Sequence, residues 1–333
     1  MKKLIIIIMA AALVLSLAAC NTDNLAEYKK AMEKTEQIQK GQVSGEFETT
    51  MDINTDDLTA EEIKSLNYVK DMKGSFSAKY DDSLEKGIYR NYMSMGGLGF
   101  DFDVYLNGDE IFMKLPVAGK YLDLTELTSS KEIAEINEEA FNETIISDET
   151  MKIISEKWVG LMKKEDVFKG KDIILTTPDG EVKTTEYTIT LSSEQIRTLA
   201  NESLDAFSKD QSLRSFYDEY MASTDEIENK KSFDETIKTL RDSIEDYDVE
   251  SFKYTALVDI DGYIVNEIIA VSMKSTDESL LIKGLNFNLN IKNWDINKEQ
   301  SFDFPVLTDE NTIYTDDMEE MPDLMEDLFS NEN

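Results

Sequence analysis

Hydrophobic and polar residues alternate along much of this chain, and the phase of that alternation marks strands with one dry face. Val43, Gly45, Phe47, Thr49, Met51 and Ile53 are separated by polar residues and predict a first strand. Phe76, Ala78 and Tyr80 repeat the pattern, as do Phe100, Phe102, Val104 and Leu106. Asn107-Gly108 is a two-residue hairpin signal leading into Ile111–Leu115 and then Tyr121–Leu124. Ile173–Thr176, the Asp179-Gly180 turn, and Tyr187, Ile189 and Leu191 predict another hairpin. Three long strands close the chain. The first carries Phe252, Tyr254, Ala256, Val258 and Ile260, and a type I′ turn at Asp261-Gly262 leads to Val265, Ile269, Val271 and Met273. Leu281, Leu285, Phe287, Leu289 and Ile291 form the third.

Elsewhere the period lengthens to that of a helix. Leu25, Tyr28, Met32 and Ile38 predict a first helix over Asn24–Lys40, ended by Gly41. Thr59 to Glu62 is a capping box that opens a short helix through Ile63 and Leu66. Two helical segments follow Leu124, the second with Met151, Ile154, Trp158, Leu161 and Met162 on one face. Ser192 and Gln195 cap a helix carrying Ile196, Leu199, Leu204 and Phe207. Further helices carry Leu213, Phe216, Tyr217 and Tyr220, and span Ser232–Tyr247.

About eleven strands, apolar on one face only, predict an antiparallel sheet with one wet side, and the clumped helices place the fold in the α+β class. A closed barrel of that size leaves its interior partly empty. A strongly curved sheet, an unclosed half-barrel with helices packed in its concave face, fills the space.

Composition narrows the function more than the fold. The chain carries a net charge of −35, which repels nucleic acid and excludes it as a partner. Histidine is absent and Cys20 is the single cysteine. No Ser-His-Asp triad, Cys-His dyad, HExxH site or internal disulfide can therefore be built, and zinc and copper sites are excluded with them. No cofactor is expected. Only oxygen-loving metals stay open, and Asp259, Asp261 and Gly262 lack the later ligands and closing glutamate of a calcium loop. Glycines 96, 97 and 99 make no phosphate loop, because no Lys-Ser/Thr follows them.

The N-terminus gives an address. Lys2 and Lys3 precede the apolar run Leu4–Leu17, and Leu17-Ala18-Ala19-Cys20 ends it. This layout resembles the signal peptide and lipobox of bacterial lipoproteins. The resemblance implies cleavage before Cys20, a diacylglyceryl group on its thiol, and a lipid-anchored protein on the extracytoplasmic face of the cell membrane. Each buried acyl methylene contributes about 0.8 kcal/mol of membrane affinity. The expected layout is a signal peptide at 1–19, a lipidated tether at 20–23, the half-barrel domain at 24–305 and an acidic tail at 306–333.

The order of parts over Asn24–Phe304 resembles the LolA/LppX-type carriers: a lipobox, an amphipathic first helix, a strand from Val43, meandering hairpins, a helical block, and final strands joined by Val258-Asp259-Ile260-Asp261-Gly262-Tyr263. It is also similar to clostridial-type lipoproteins of unknown function. In the carriers, sheet and helices enclose an apolar cavity for acyl chains. The resemblance implies a non-catalytic protein that binds a hydrophobic or amphiphilic ligand, a lipid among the options. The expected lining is Phe47, Met51, Phe76, Phe100, Phe102, Val104, Phe252, Tyr254, Val258, Leu285 and Phe287, with the alternative that these residues simply pack against helices.

Met93–Phe100 is read either as an apolar lip at the cavity mouth or as a plain hairpin connection. Asp309–Asn333 holds ten acidic and no basic residues, interleaved with Met318, Met321, Leu324, Leu328 and Phe329. It reads as a solvated tail or as a docking segment. Two rival functions stay open. One is an interaction module with a filled core that binds an envelope protein or cell-wall component. The other is a hydrolase built on paired carboxylates, which 69 acidic residues would supply by chance alone.

Overall fold

A computed structural model of the chain describes residues 23–56, 58–116, 119–125, 146–223 and 230–314. The expected signal peptide and Cys20, the expected first helical segment after Leu124 and most of the acidic tail lie outside the described residues.

Among the described residues the fold is α+β, with six helices against one curved, unclosed sheet of twelve strands. The chain opens with α1 (Asn24–Thr35), β1 (Lys40–Ile53), α2 (Ala60–Val69), β2 (Asp71–Asp81) and β3 (Lys86–Met95). Next come β4 (Leu98–Asn107), β5 (Glu110–Leu115), β6 (Lys120–Asp123), α3 (Asp148–Leu161), β7 (Val167–Thr177) and β8 (Gly180–Ile189). Helices α4 (Ser193–Phe207), α5 (Gln211–Ser223) and α6 (Phe233–Glu245) lead into β9 (Tyr247–Asp259), β10 (Ile264–Ser275), β11 (Ile282–Trp294) and β12 (Thr312–Ile313).

The spatial order is β12-β6-β5-β4-β3-β2-β1-β11-β10-β9-β8-β7, with free ends at β12 and β7. All neighbours are antiparallel except β12 and β6. The first long strand thus meets the last one, β11, in the middle of the sheet. One wing, β2–β6, comes from the N-terminal half. The other, β10–β7, carries α1 and α3 to α6, while α2 packs beside β2.

Local chemistry explains most boundaries. Reciprocal capping boxes open α2 (Thr59 with Glu62), α4 (Ser192 with Gln195) and α6 (Ser232 with Glu235), each satisfying two otherwise unpaired backbone groups. The β3–β4 hairpin closes through Gly96-Gly97, whose φ values of +57° and +87° suit a tight two-residue turn that side chains disfavour.

Several expectations are corrected. Helix α1 stops at Thr35, not Lys40, because the Thr35 hydroxyl accepts from the Ile264 amide at 2.8 Å and turns the chain onto the sheet. Gly41 is then the second residue of β1. Register moves two hairpin loops by one residue, to Gly108-Asp109 and Pro178-Asp179. The β9–β10 connection is not a two-residue turn. It spans Ile260–Tyr263, held by an Asp259 carboxylate that accepts from the Tyr263 amide at 2.8 Å. Strand β12 lies beyond residue 305, inside the expected tail, and both its residues are buried.

The main core lies under the helices on the concave face. Leu25, Tyr28 and Ala31 of α1 pack with Met162, Val167, Tyr187, Ile189, Tyr254, Ala256 and Ile264. Full burial of one such large side chain contributes about 1.5–3 kcal/mol. Helices α5 and α6 form an outer layer on α4 through Leu204, Phe233 and Ile237. The convex face is not uniformly wet, against expectation. Ile88, Tyr105 and Phe112 are buried there under Phe302, Phe304 and Leu307, because the segment after β11 folds back across β3–β6.

Candidate functional site

Residues directly opposed in a ladder share a face of the sheet. Phe47 opposes Leu289 and Gly74, Met51 opposes Leu285, and Phe76 opposes Gly45 and Asn91. Asn91 in turn opposes Phe102, while Met93 opposes Phe100 and Tyr89 opposes Val104. Across the other wing, Phe287 opposes Val271, which opposes Phe252, and Leu289 opposes Ile269, which opposes Tyr254. Val258 follows Tyr254 in the same phase of β9. All eleven expected lining residues therefore lie on the concave face.

Their surroundings differ. Tyr254 and Val258 are buried in the helix-covered core, so Val258 takes no part in any open surface. Phe47, Met51, Phe76, Phe102, Val104, Phe252, Leu285 and Phe287 are half-buried, and Phe100 is 51% exposed. Phe47 and Phe76 lie flat instead of projecting. A Cβ added at Gly74 would sit 2.3 Å from the Phe47 ring, and one at Gly45 would sit 2.2 Å from the Phe76 ring. Each ring thus covers the glycine opposite it on the neighbouring strand. Tyr89, Met93, Leu98 and Phe100 continue this apolar surface outward with more than a third of each exposed. The Met93–Phe100 stretch is an ordered β3–β4 hairpin whose turn packs against Tyr68 of α2.

Where the open face meets the helices there is a cleft of about 360 Å³. Met32 of α1, Ile154 and Trp158 of α3, and Tyr254 and Ile264 of the sheet form apolar walls, and Glu36 stands among the residues lining it. Glu267 reaches it from β10. It is half-buried among apolar neighbours, directly opposite Ile291 and Ala256. The Trp158 indole donates to the Tyr28 hydroxyl at 3.2 Å, and the Tyr28 and Tyr254 rings stand edge to face. Tyr254 and Glu267 both line the cleft. Burial pushes the Glu267 carboxyl above its ordinary range, against the opposing effect of the neighbouring Tyr254 hydroxyl. Burial likewise pushes Tyr28 up to about 12, and Tyr254 well above the usual phenol value.

Glu267 escaped the sequence reading, although one signal was present. It is the acidic position skipped in the apolar set of β10. A bulge between Ile264 and Asn266 hid the phase: Ile264 joins the concave core, while Val265 joins Leu175 and Leu257 on the convex side. The face opposite the lining aromatics carries an open, polar groove of about 450 Å³ lined by Ser44, Glu46, Ser75, Arg90, Asp103 and Lys292. Arg90 and Asp103 approach to 3.9 Å within it, and Glu46, Asp101 and Lys292 add further charge to its lining. Among the described residues no acidic cluster suits a metal ion, and no helix is long and apolar enough to cross a membrane.

No family model matches the chain, and no curated protein matches it. Among solved structures it is similar to a LolA superfamily protein from Nitrosomonas europaea, at 9% identity and a TM-score of 0.21, over 86% of this chain and 94% of that one.

Proposed function

We propose that the protein is a non-catalytic, lipid-anchored binder of a hydrophobic or amphiphilic ligand on the extracytoplasmic face of the cell membrane. The observation that carries this reading is a one-sided distribution of cover. Helices α1, α3 and α4 close the concave face over β7–β10, whereas the same apolar face over β1–β4 keeps half-buried and exposed aromatics. Hydrocarbon laid there is removed from water at about 25 cal/mol per Å². The adaptable side chains of Met51, Met93 and Met273 in that face suit a variable ligand. The anchor is the part read from Cys20, and it would hold the face close to the bilayer that supplies the ligand.

The test uses the chain from Asn21 to Asn333, which retains every described element. Native mass spectrometry should find co-purifying lipid, and a fluorescent acyl probe should bind. Phe102→Asp should weaken probe binding by about tenfold or more, since a charge replaces a contact worth about 1.5–3 kcal/mol. No lipid and no probe uptake would return the protein to the interaction-module reading.

A further inference from the structure

The cleft beside the helices is walled mainly by apolar and aromatic residues, and the sheet contributes a carboxylate to it, Glu267. None of the ion pairs among the described residues involves Glu267. The Tyr254 hydroxyl, a neutral group, is the polar neighbour that acts on it. Burying a carboxylate without a cation is costly, so a site that keeps one has an unmet demand for positive charge. The walls meet the same demand. Trp158 and Tyr254 stand edge to face with centroids 5.6 Å apart, and Tyr28 and Tyr254 do so at 5.9 Å. Aromatic surfaces around an acidic group attract ammonium and guanidinium heads by cation–π contact. Glu36 adds a second carboxylate to the lining, anchored by the Ser155 hydroxyl at 2.8 Å. From Glu267 the concave face runs apolar in the ladder direction through Ile291 to Gly45 and the Phe76 ring that covers it.

We propose that this cleft selects the cationic head of an amphiphile: Glu267 supplies the counter-charge, the half-buried Trp158 supplies the aromatic wall, and the hydrocarbon tail lies along the open face. The inference rests on the ligand-binding reading above and adds the class of ligand. The ligand is then a lipophilic amine or guanidine, as opposed to a neutral lipid or a fatty acid. A net charge of −35 concentrates such cations near the protein, but only a particular carboxylate would distinguish one cation site from general attraction.

The experiment compares dodecylammonium, dodecanol and dodecanoate, below their aggregation limits and at physiological salt, on the chain from Asn21 to Asn333. The amine should bind about tenfold or more tightly than the alcohol, the scale of one charge-assisted hydrogen bond, and the carboxylate should bind most weakly. Glu267→Gln should bring the amine down to the alcohol's affinity while leaving the alcohol unchanged. Glu61→Gln, an exposed change on α2, should preserve the preference. Should Glu267→Gln fail to fold, Ile291→Lys places an internal cation opposite Glu267 and should erase the preference in the same way. Equal binding of amine and alcohol by the unaltered chain, or a preference that survives in a folded Glu267 or Ile291 variant, overturns the inference and leaves the ligand-binding reading standing. If none of the three binds, the ligand-binding reading fails and the inference goes with it.

Discussion

Asp210 is 4% exposed and carries no opposing cation, yet its carboxyl is held below the ordinary aspartate range. Burial alone would raise it. The Leu213 amide at 3.0 Å, the Thr150 hydroxyl, and the Ser147 amide and hydroxyl at 2.9 and 3.0 Å together outweigh burial. One carboxylate thereby ties the start of α5 to Ser147, the N-cap of α3. Its folded-state pKa lies below the unfolded value. The stabilisation is therefore complete above the unfolded aspartate pKa and is lost as pH falls through the folded one. Chemical denaturation from about pH 6 down to pH 3 should show the unaltered chain losing more stability than Asp210→Asn, because the variant has already given up the ionised acceptor. Parallel acid limbs for the two proteins would refute this. At neutral pH the variant should be less stable by about 1–3 kcal/mol.

At the scale of elements, the centre of the sheet depends on two glycine–aromatic pairs across β1 and β2. Gly74 leaves room for the Phe47 ring, and the added Cβ of an alanine would also come within 3.0 Å of the Tyr92 carbonyl oxygen. Gly74→Ala should destabilise the chain by about 1–3 kcal/mol through overpacking. Most of that cost should vanish when Phe47→Ala is already present, a coupling that a double-mutant cycle measures directly. Additive effects would mean that the ring does not rest on Gly74. Alternation identified the strands here, and the capping boxes at Thr59, Ser192 and Ser232 fixed three helix starts. Both signals are local. The end of α1 was not legible, because the Ile264 amide that stops it lies 229 residues away.

At the scale of the whole molecule, the two wings of the sheet are supported unequally. The β8–β10 wing is sealed under α1, α3 and α4, with Ile189 and Ala256 fully buried. The outer halves of β3 and β4 expose Tyr92, Met93, Leu98 and Phe100. Native-state hydrogen exchange should find amides of β9 and β10 opening only with global unfolding, and those around Tyr92–Phe100 opening first. Equal protection in both wings would show that the concave face is covered throughout. Bound ligand should slow exchange in the weaker wing by mass action.

By itself the sequence determined the class of the fold, the antiparallel meander, the shared face of the eleven residues expected to line a cavity, and the chemistries that the lack of histidine and of a second cysteine forbids. These follow from local period and composition, which need no knowledge of neighbours in space. Tertiary structure alone decided which part of the apolar face the helices cover, which aromatics lie flat on glycine, and where a carboxylate sits without a cation. The reason is physical. Period assigns a residue to a face, but cover and charge balance depend on strands such as β1 and β11 that meet after more than two hundred residues, and on a bulge in β10 that shifts the phase where Glu267 enters the cleft.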